Sequence, residues 1–267
     1  MKDSKNLSFN NIKERAYKSP FGLTPKGISF AISSQISSHN ICDYGCNDGK
    51  YLCEISKLKA HKHCIGLDLD ADVLKKARHN DSESLIKWIL VEKGKNIPLE
   101  SNLVDLITIT EVLEHIHDKK FIMNEIYRIL SPNGIAIFTV PGKHLFSFLD
   151  MGNFKFIFPS FHKFFYILFR GKEKYNYRYV NNPYGLIGDI EKEASWHEHF
   201  SFDDFYKIAS ATNFKIFKSG GIGYFFRVLV NIKFFLPRPF KRILNKIIDL
   251  DSFLFSRAQR FFILIKK

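Results

Sequence analysis

Between residues 40 and 141, short apolar, β-branched runs alternate with stretches of helical periodicity. The runs fall at 40–44, 64–67, 86–91, 103–108 and 135–140, and the helical stretches at 50–58, 71–78 and 121–130. The fourth run, Leu-Val-Asp-Leu-Ile-Thr, is mostly apolar and β-branched, as expected of a strand buried on both faces. In the third helical stretch Phe121, Ile122, Ile126, Ile129 and Leu130 share one side, and Ser131-Pro132-Asn133-Gly134 stops the helix and turns the chain. Strands that alternate with helices in this way form a parallel sheet covered by helices on both faces. Right-handed crossovers then carry the C-terminal ends of the strands to one edge.

The flanking segments divide the rest of the chain. Residues 1–24 are polar and read as a poorly ordered arm or a lid. Thr24 and Pro25 read as the N-cap and first position of a helix reaching about residue 37, so the core is expected over 25–142. The alternation lapses over 143–195, a stretch rich in Phe and Tyr with basic clusters at Arg170-Gly171-Lys172 and Lys174. Residues 196–267 are expected to complete the sheet. Ser201 and Asp204 resemble a capping box opening a helix to about residue 212, and a sixth strand follows at 214–218. A Phe-rich, basic helical segment covers 224–254, and 259–267 reads as a final edge strand.

Charge and cysteine usage narrow the setting. The formal net charge is +13, and such a field attracts nucleic acid, anionic lipid or phosphorylated substrates without choosing among them. Cys42, Cys46, Cys53 and Cys64 form no C-x-x-C pair and read as reduced residues of a cytoplasmic protein. The first residues lack the apolar core of a signal peptide. No uncharged apolar run reaches the roughly 20 residues that span a bilayer. The best candidate, 222–236, is broken by Arg227 and Lys233.

Two features at the strand ends carry chemistry. Asp43-Tyr44-Gly45-Cys46-Asn47-Asp48-Gly49 lies between the first strand and its helix, where a loop must accept positive φ and let backbone approach a ligand. Gly45 and Gly49 meet that need, and Asn47 is of the residue type next most tolerant of left-handed φ. Asp68 ends the second strand, where a carboxylate can accept hydrogen bonds from both hydroxyls of a ribose. The glycine spacing is not that of a dinucleotide fingerprint. Asp43 and Asp48 would repel a pyrophosphate, whereas they suit an ammonium group.

Further motifs follow the fourth strand: Thr110-Glu111-Val112-Leu113-Glu114-His115-Ile116, then Arg128-Ile129-Leu130-Ser131-Pro132-Asn133-Gly134. With Asp43-Tyr44-Gly45-Cys46 and Gly66-Leu67-Asp68, they closely resemble the class I S-adenosylmethionine-dependent methyltransferases, in particular a small-molecule branch with an E-V-L-E-H segment. The resemblance covers about 40–141 and resumes from about 196. It is specific for the superfamily and poorly specific for substrate. It implies an α/β fold: a doubly wound, seven-stranded, mostly parallel sheet with an antiparallel last strand, here carrying an aromatic-rich insertion after strand five. It implies S-adenosyl-L-methionine as cofactor, with Asp43, Gly45, Cys46, Asn47 and Gly49 around the methionine part and Asp68 on the ribose. Leu69 would lie against the adenine, Glu92 would stand in for the usual Asp at the adenine amino group, and Thr110 would sit beside the cofactor.

Methyl transfer from a sulfonium needs alignment, sometimes a base, and no metal. His115, just past strand four, and His197 and His199, before the helix that follows strand five, are the candidate bases. For His115 a structural hydrogen bond stands as the equal alternative. Phe161, Phe164, Phe165, Tyr166 and Tyr184 either line an acceptor pocket or form a small core for the insertion. Arg227, Lys233, Arg238, Lys241, Arg242 and Lys246 mark either an interfacial helix pair on anionic lipid or a hairpin with a solvated basic face. The expected acceptor is a small molecule, glycan or lipid-linked compound, methylated on oxygen. RNA or protein methylation is the second reading, and an inactive scaffold or peripheral membrane adaptor is the third. The expected location is the cytoplasm, with the inner face of a membrane as a peripheral site.

Overall fold

The computed structural model describes residues 7–58, 60–149, 151–180 and 197–266. Seven strands form one sheet: β1 (Ser38–Tyr44), β2 (His61–Asp68), β3 (Ile86–Leu90), β4 (Val104–Thr110), β5 (Leu130–Pro141), β6 (Phe214–Ile222) and β7 (Gln259–Lys266). Their order is β3-β2-β1-β4-β5-β7-β6. The first five run parallel, and β7 inserts antiparallel between β5 and β6. The expected doubly wound, mostly parallel sheet is therefore the observed one.

Helices cover both faces. On one side lie α1 (Phe9–Lys18), α2 (Pro25–Ser33), α3 (Lys50–Ser56) and α4 (Ala71–Asn80), whose apolar residues meet Ile41, Leu106, Ile137 and Ile263. On the other lies α5 (Lys119–Ile129), packed on Cys42, Ile107, Phe138 and Leu264. Adjacent residues such as Ile137 and Phe138 enter opposite cores, as the period of a strand requires. After β5 come α6 (Met151–Ile157), α7 (Pro159–Arg170) and the short α8 (Lys172–Tyr175). Then α9 (Phe202–Ser210) joins α5 on its face of the sheet, and α10 (Phe226–Phe235) and α11 (Arg238–Leu254) form a hairpin between β6 and β7. That hairpin has its own small core of Phe226, Leu244, Ile248 and Ala258.

The caps read from sequence form as expected. Thr24 accepts a hydrogen bond from the Gly27 amide, with Pro25 opening α2. At α9 the Ser201 hydroxyl accepts from the Asp204 amide and the Asp204 carboxylate accepts from the Ser201 amide. Ser131–Gly134, expected as a turn between helix and strand, is instead a wide bulge inside β5. Leu130 pairs with Val104 and Ile135 with Leu106, so β5 advances five residues against two of β4. Asn133, at φ 64°, absorbs the reversal.

Residues 7–24, part of the segment expected as a poorly ordered arm or a lid, instead include helix α1 packed into the core. Ile12 and Ala16 of α1 are fully buried, and Lys13 donates to the carbonyls of Phe253 and Phe255 at 2.7 and 3.2 Å, at the C-terminal end of α11. Phe9, Ile12 and Ala16 recur at helical spacing, which the polar composition of the segment obscures. Truncating Ile12 to Ala should cost about 3 kcal/mol, as for other fully buried aliphatic side chains. Urea unfolding measures it. A loss below about 0.5 kcal/mol, the size of an ordinary surface substitution, would show that α1 is dispensable to the fold.

Candidate functional site

The parallel strands deliver their following loops to one edge, and there a cleft of about 1010 Å³ opens. Gly45, Asn47, Asp68, Leu69, Thr110 and His115 line it, as expected from sequence. Lys26, Val91, Glu111 and Val112 complete the walls, with Tyr166, Glu173, Lys174 and Tyr177 contributed by α7 and the segment beyond it.

The loop after β1 is shaped by three residues with left-handed backbone, Gly45 at φ 78°, Asn47 at φ 51° and Gly49 at φ 75°. A Cβ on Gly45 would stand 2.4 Å from Val112 Cγ2, so glycine is required there. The Gly45 and Cys46 amides donate to the Leu67 carbonyl at 2.8 and 3.0 Å, extending the pairing of β1 with β2 into the loop. The Asn47 amide then donates to Asp68 Oδ2 at 2.8 Å, while Asp68 Oδ1 accepts from the Asp70 amide at 3.0 Å. Asp68 is thereby fixed at the rim of the cleft. Each of its oxygens uses one lone pair in these bonds and retains another for a ligand hydroxyl.

Other expected contacts lie elsewhere. Asp43 is buried beneath the loop and accepts from the Thr108 hydroxyl at 2.5 Å, joining β1 to β4. Burial pushes its carboxyl up to about 7, against the Thr108 hydrogen bond and the nearby Lys26, which favour the charged form. Cys46 is buried, and burial raises its thiol far above the ordinary range. Gly49 N-caps α3 at φ 75°, and a Cβ there would meet the Trp88 indole at 2.5 Å. Its observed role is to make room for that ring. Glu92 is exposed and paired with Lys95 at 2.5 Å, outside the cleft lining, where Val91 stands instead.

Of the three histidines, His115 alone lines the cleft. His197 is buried behind it, ring centroids 5.4 Å apart, and His199 lies a further 5.4 Å beyond His197. The His197 amide donates at 2.6 Å to the side chain of fully buried Asn153, which fixes this segment against α6. Glu114, His115 and His197 bring one potential ligand atom each to within 4.8 Å of one another, whereas His117 and His199 fall outside that group. In the insertion, Tyr166 reaches the cleft and also forms a small core with Tyr175 and Tyr179. Phe161 and Phe164 face solvent, 55% and 63% exposed, and do not line the cleft. Tyr184 lies outside the described residues.

Glu111 is the feature that sequence reasoning passed over. It follows β4 with left-handed backbone, φ 56°, unusual for Glu. Its carboxylate accepts from Arg227 at 2.5 Å, from Thr139 at 3.3 Å and from Gln259. Arg227 also donates to Gln259 at 2.7 Å. One wall of the cleft is thus tied to β5, β7 and α10.

The comparisons agree with this geometry. Residues 42–138 match the family described as "Methyltransferase domain". The demethylmenaquinone methyltransferase of Lactiplantibacillus plantarum is 31% identical over 100 residues, covering 36% of this chain and 42% of that one. The ubiquinone biosynthesis O-methyltransferase of Hydrogenovibrio crunogenus is 29% identical over 130 residues, covering 48% and 53%. The chain therefore spans about half the length of these relatives. An S-adenosylmethionine-dependent methyltransferase structure from Mesorhizobium loti superposes with a TM-score of 0.55 at 14% identity, covering 91% of this chain and all of that one, which speaks to the fold. Residues 42–138, from within β1 to within β5, therefore carry the match to a methyltransferase domain, and the chain shares the fold of that structure. The cleft fits S-adenosylmethionine, the cofactor that the sequence resemblance implies: it offers a carboxylate with free acceptor capacity, a glycine where backbone must come close, and apolar walls at Leu69, Val73 and Val91.

The Asp43 carboxyl yields a test. In the unfolded chain it should titrate near 3.8, in the folded protein near 7. Between those values the native state holds a proton that the unfolded state has lost, so this group makes stability fall as pH rises from about 4 to about 7. The full effect is on the order of 4 kcal/mol, less where solvent relaxes around the charge. Urea midpoints measured across that window should decline more steeply for the wild type than for Asp43→Asn. Parallel curves would show that Asp43 titrates at an ordinary value.

Proposed function

We propose that this protein is a methyltransferase acting on an oxygen of a small-molecule acceptor. The observation that carries the reading is the joined pair of Asn47 and Asp68 at the rim of an apolar-walled cleft that also holds His115. When bound, S-adenosylmethionine would supply a sulfonium methyl for transfer to the acceptor oxygen, with the carbon–sulfur electron pair left on sulfur. Asp68 would accept from the ribose hydroxyls, Leu69 and Val91 would flank the adenine, and the Gly45–Asn47 backbone would hold the methionine end. Asp43 acts through the loop above it. His115 takes the proton that the acceptor oxygen sheds, since imidazole is the side chain best matched to proton transfer near neutral pH. His197 packs against the His115 ring and fixes its position. Relatives named as O-methyltransferases of ubiquinone biosynthesis and of malonyl-[acyl-carrier protein] support an oxygen acceptor.

Calorimetric titration with S-adenosylmethionine and with S-adenosylhomocysteine tests the cofactor assignment. Both should bind the wild type, and Asp68→Ala should lose most of that affinity. A folded protein that binds neither ligand would overturn the reading. S-adenosylhomocysteine release against a panel of phenols, hydroxyquinones and carboxylic acids tests the acceptor and the base. His115→Ala should lower kcat by about 100-fold or more while leaving cofactor affinity unchanged. An unchanged kcat would assign His115 a structural role.

A further inference from the structure

Two helices that the sheet does not cover carry bands of exposed apolar side chains. On α11, Phe240, Ile243, Ile247, Leu250 and Leu254 are each 47–62% exposed and recur at spacings of three and four. At 3.6 residues per turn they fall within an arc of roughly 80°. That arc lies between the buried side of the helix, Leu244, Ile248 and Ser252, and a polar side bearing exposed Arg242 and Lys246. On α7, Phe161, Phe164, Leu168 and Phe169 are 48–63% exposed, with Lys163 and Arg170 on the flank and Lys172 and Lys174 following in α8. Helix α6 packs against both α7 and α10. Among the described residues no helix is long and apolar enough to cross a membrane.

We propose that α7 and α11 seat the protein on an anionic phospholipid surface. An apolar stripe edged by Arg and Lys is what an interfacial helix presents, with the apolar arc in the acyl boundary and the cations among the headgroups. A second copy of the chain is the poorer partner. A twofold contact of stripe on stripe would bring the Arg242 and Lys246 flanks of two molecules together, each molecule carrying a net charge of +13. On α11 the exposed cations Arg242 and Lys246 outnumber the carboxylate that reaches solvent: Asp251 is buried and accepts from the Tyr224 and Phe225 amides, which leaves half-buried Asp249, whose carboxyl burial raises against the nearby Lys233. The inner side of α7 carries Tyr166 into the cleft while its outer side carries the apolar band. If the methyltransferase reading holds, one wall of the cleft then rests on the lipid, and the acceptor class narrows to amphiphiles that partition into the bilayer.

Co-flotation of the full chain with phosphatidylglycerol–phosphatidylcholine vesicles, and with phosphatidylcholine vesicles alone, tests the proposal. Binding to the anionic vesicles should be at least about tenfold tighter and should weaken as salt is raised. The double variant Ile243→Asp, Ile247→Asp changes two exposed positions and should abolish flotation, and Arg242→Glu, Lys246→Glu should abolish the preference for anionic lipid. Both should retain the wild-type circular dichroism and S-adenosylmethionine titration. No flotation with anionic vesicles overturns the proposal, as does flotation that survives both variants. A stable dimer dispersed by Ile243→Asp, Ile247→Asp also overturns it, by showing that a second copy covers the stripe. A wild type that floats but does not bind the cofactor would remove the methyltransferase reading and leave the lipid surface standing.

Discussion

The parallel run of the first five strands is the constraint on which the rest of this structure depends. Parallel neighbours need long crossovers, so the loops that follow β1, β2 and β4 arrive together at one edge. The pairing of β1 with β2 does not stop at the strand ends. It continues through the Gly45 and Cys46 amides on Leu67 and closes with the Asn47 amide on Asp68. The cleft is the space left above that closure. Its far wall needs a second fastening, because β4 ends in a left-handed Glu111 with no glycine to relieve it. Arg227 and Gln259 provide that fastening from α10 and β7.

Much of the fold and part of the site were legible in the sequence, for a definite reason. Strands buried on both faces write continuous apolar runs, and loop chemistry at their ends writes Gly, Asn and Asp at short range. Gly45, Asn47 and Asp68 could be placed at the cleft from such local signals, and Leu69 and Thr110 from the family resemblance. Gly49 shows where they are ambiguous. A glycine that lets a ligand approach and one that admits a tryptophan ring leave the same letter in the chain, and only Trp88, met 39 residues later, separates the cases. Glu92 was placed by analogy of position, but the chain turns it toward Lys95 and solvent.

What sequence reading missed is non-local or geometrical. Glu111 meets Arg227 across 116 residues and Gln259 across 148, and no periodicity encodes such a pairing. The outward direction of Phe161 and Phe164 depends on which side of α7 the tyrosine cluster claims. Tyr166 and Tyr175 take the inner side, packing with Tyr179, and the phenylalanines are left outside. Helix α1 was obscured because a strongly polar composition outweighed three apolar residues at helical spacing.

The anchoring of α1 bears on how the chain acquires its structure. The Leu7 carbonyl accepts from Lys218, Phe9 stacks on Phe261 with centroids 6.2 Å apart, and Lys13 reaches Phe253 and Phe255. During synthesis these first residues leave the ribosome more than 200 positions ahead of their partners. Their long-range contacts must wait while the first five strands assemble behind them. Docking of α1 onto these partners is therefore a closing event: it joins a helix to strands and a helix end made more than 200 residues later and ties the two parts of the chain into one cooperative unit.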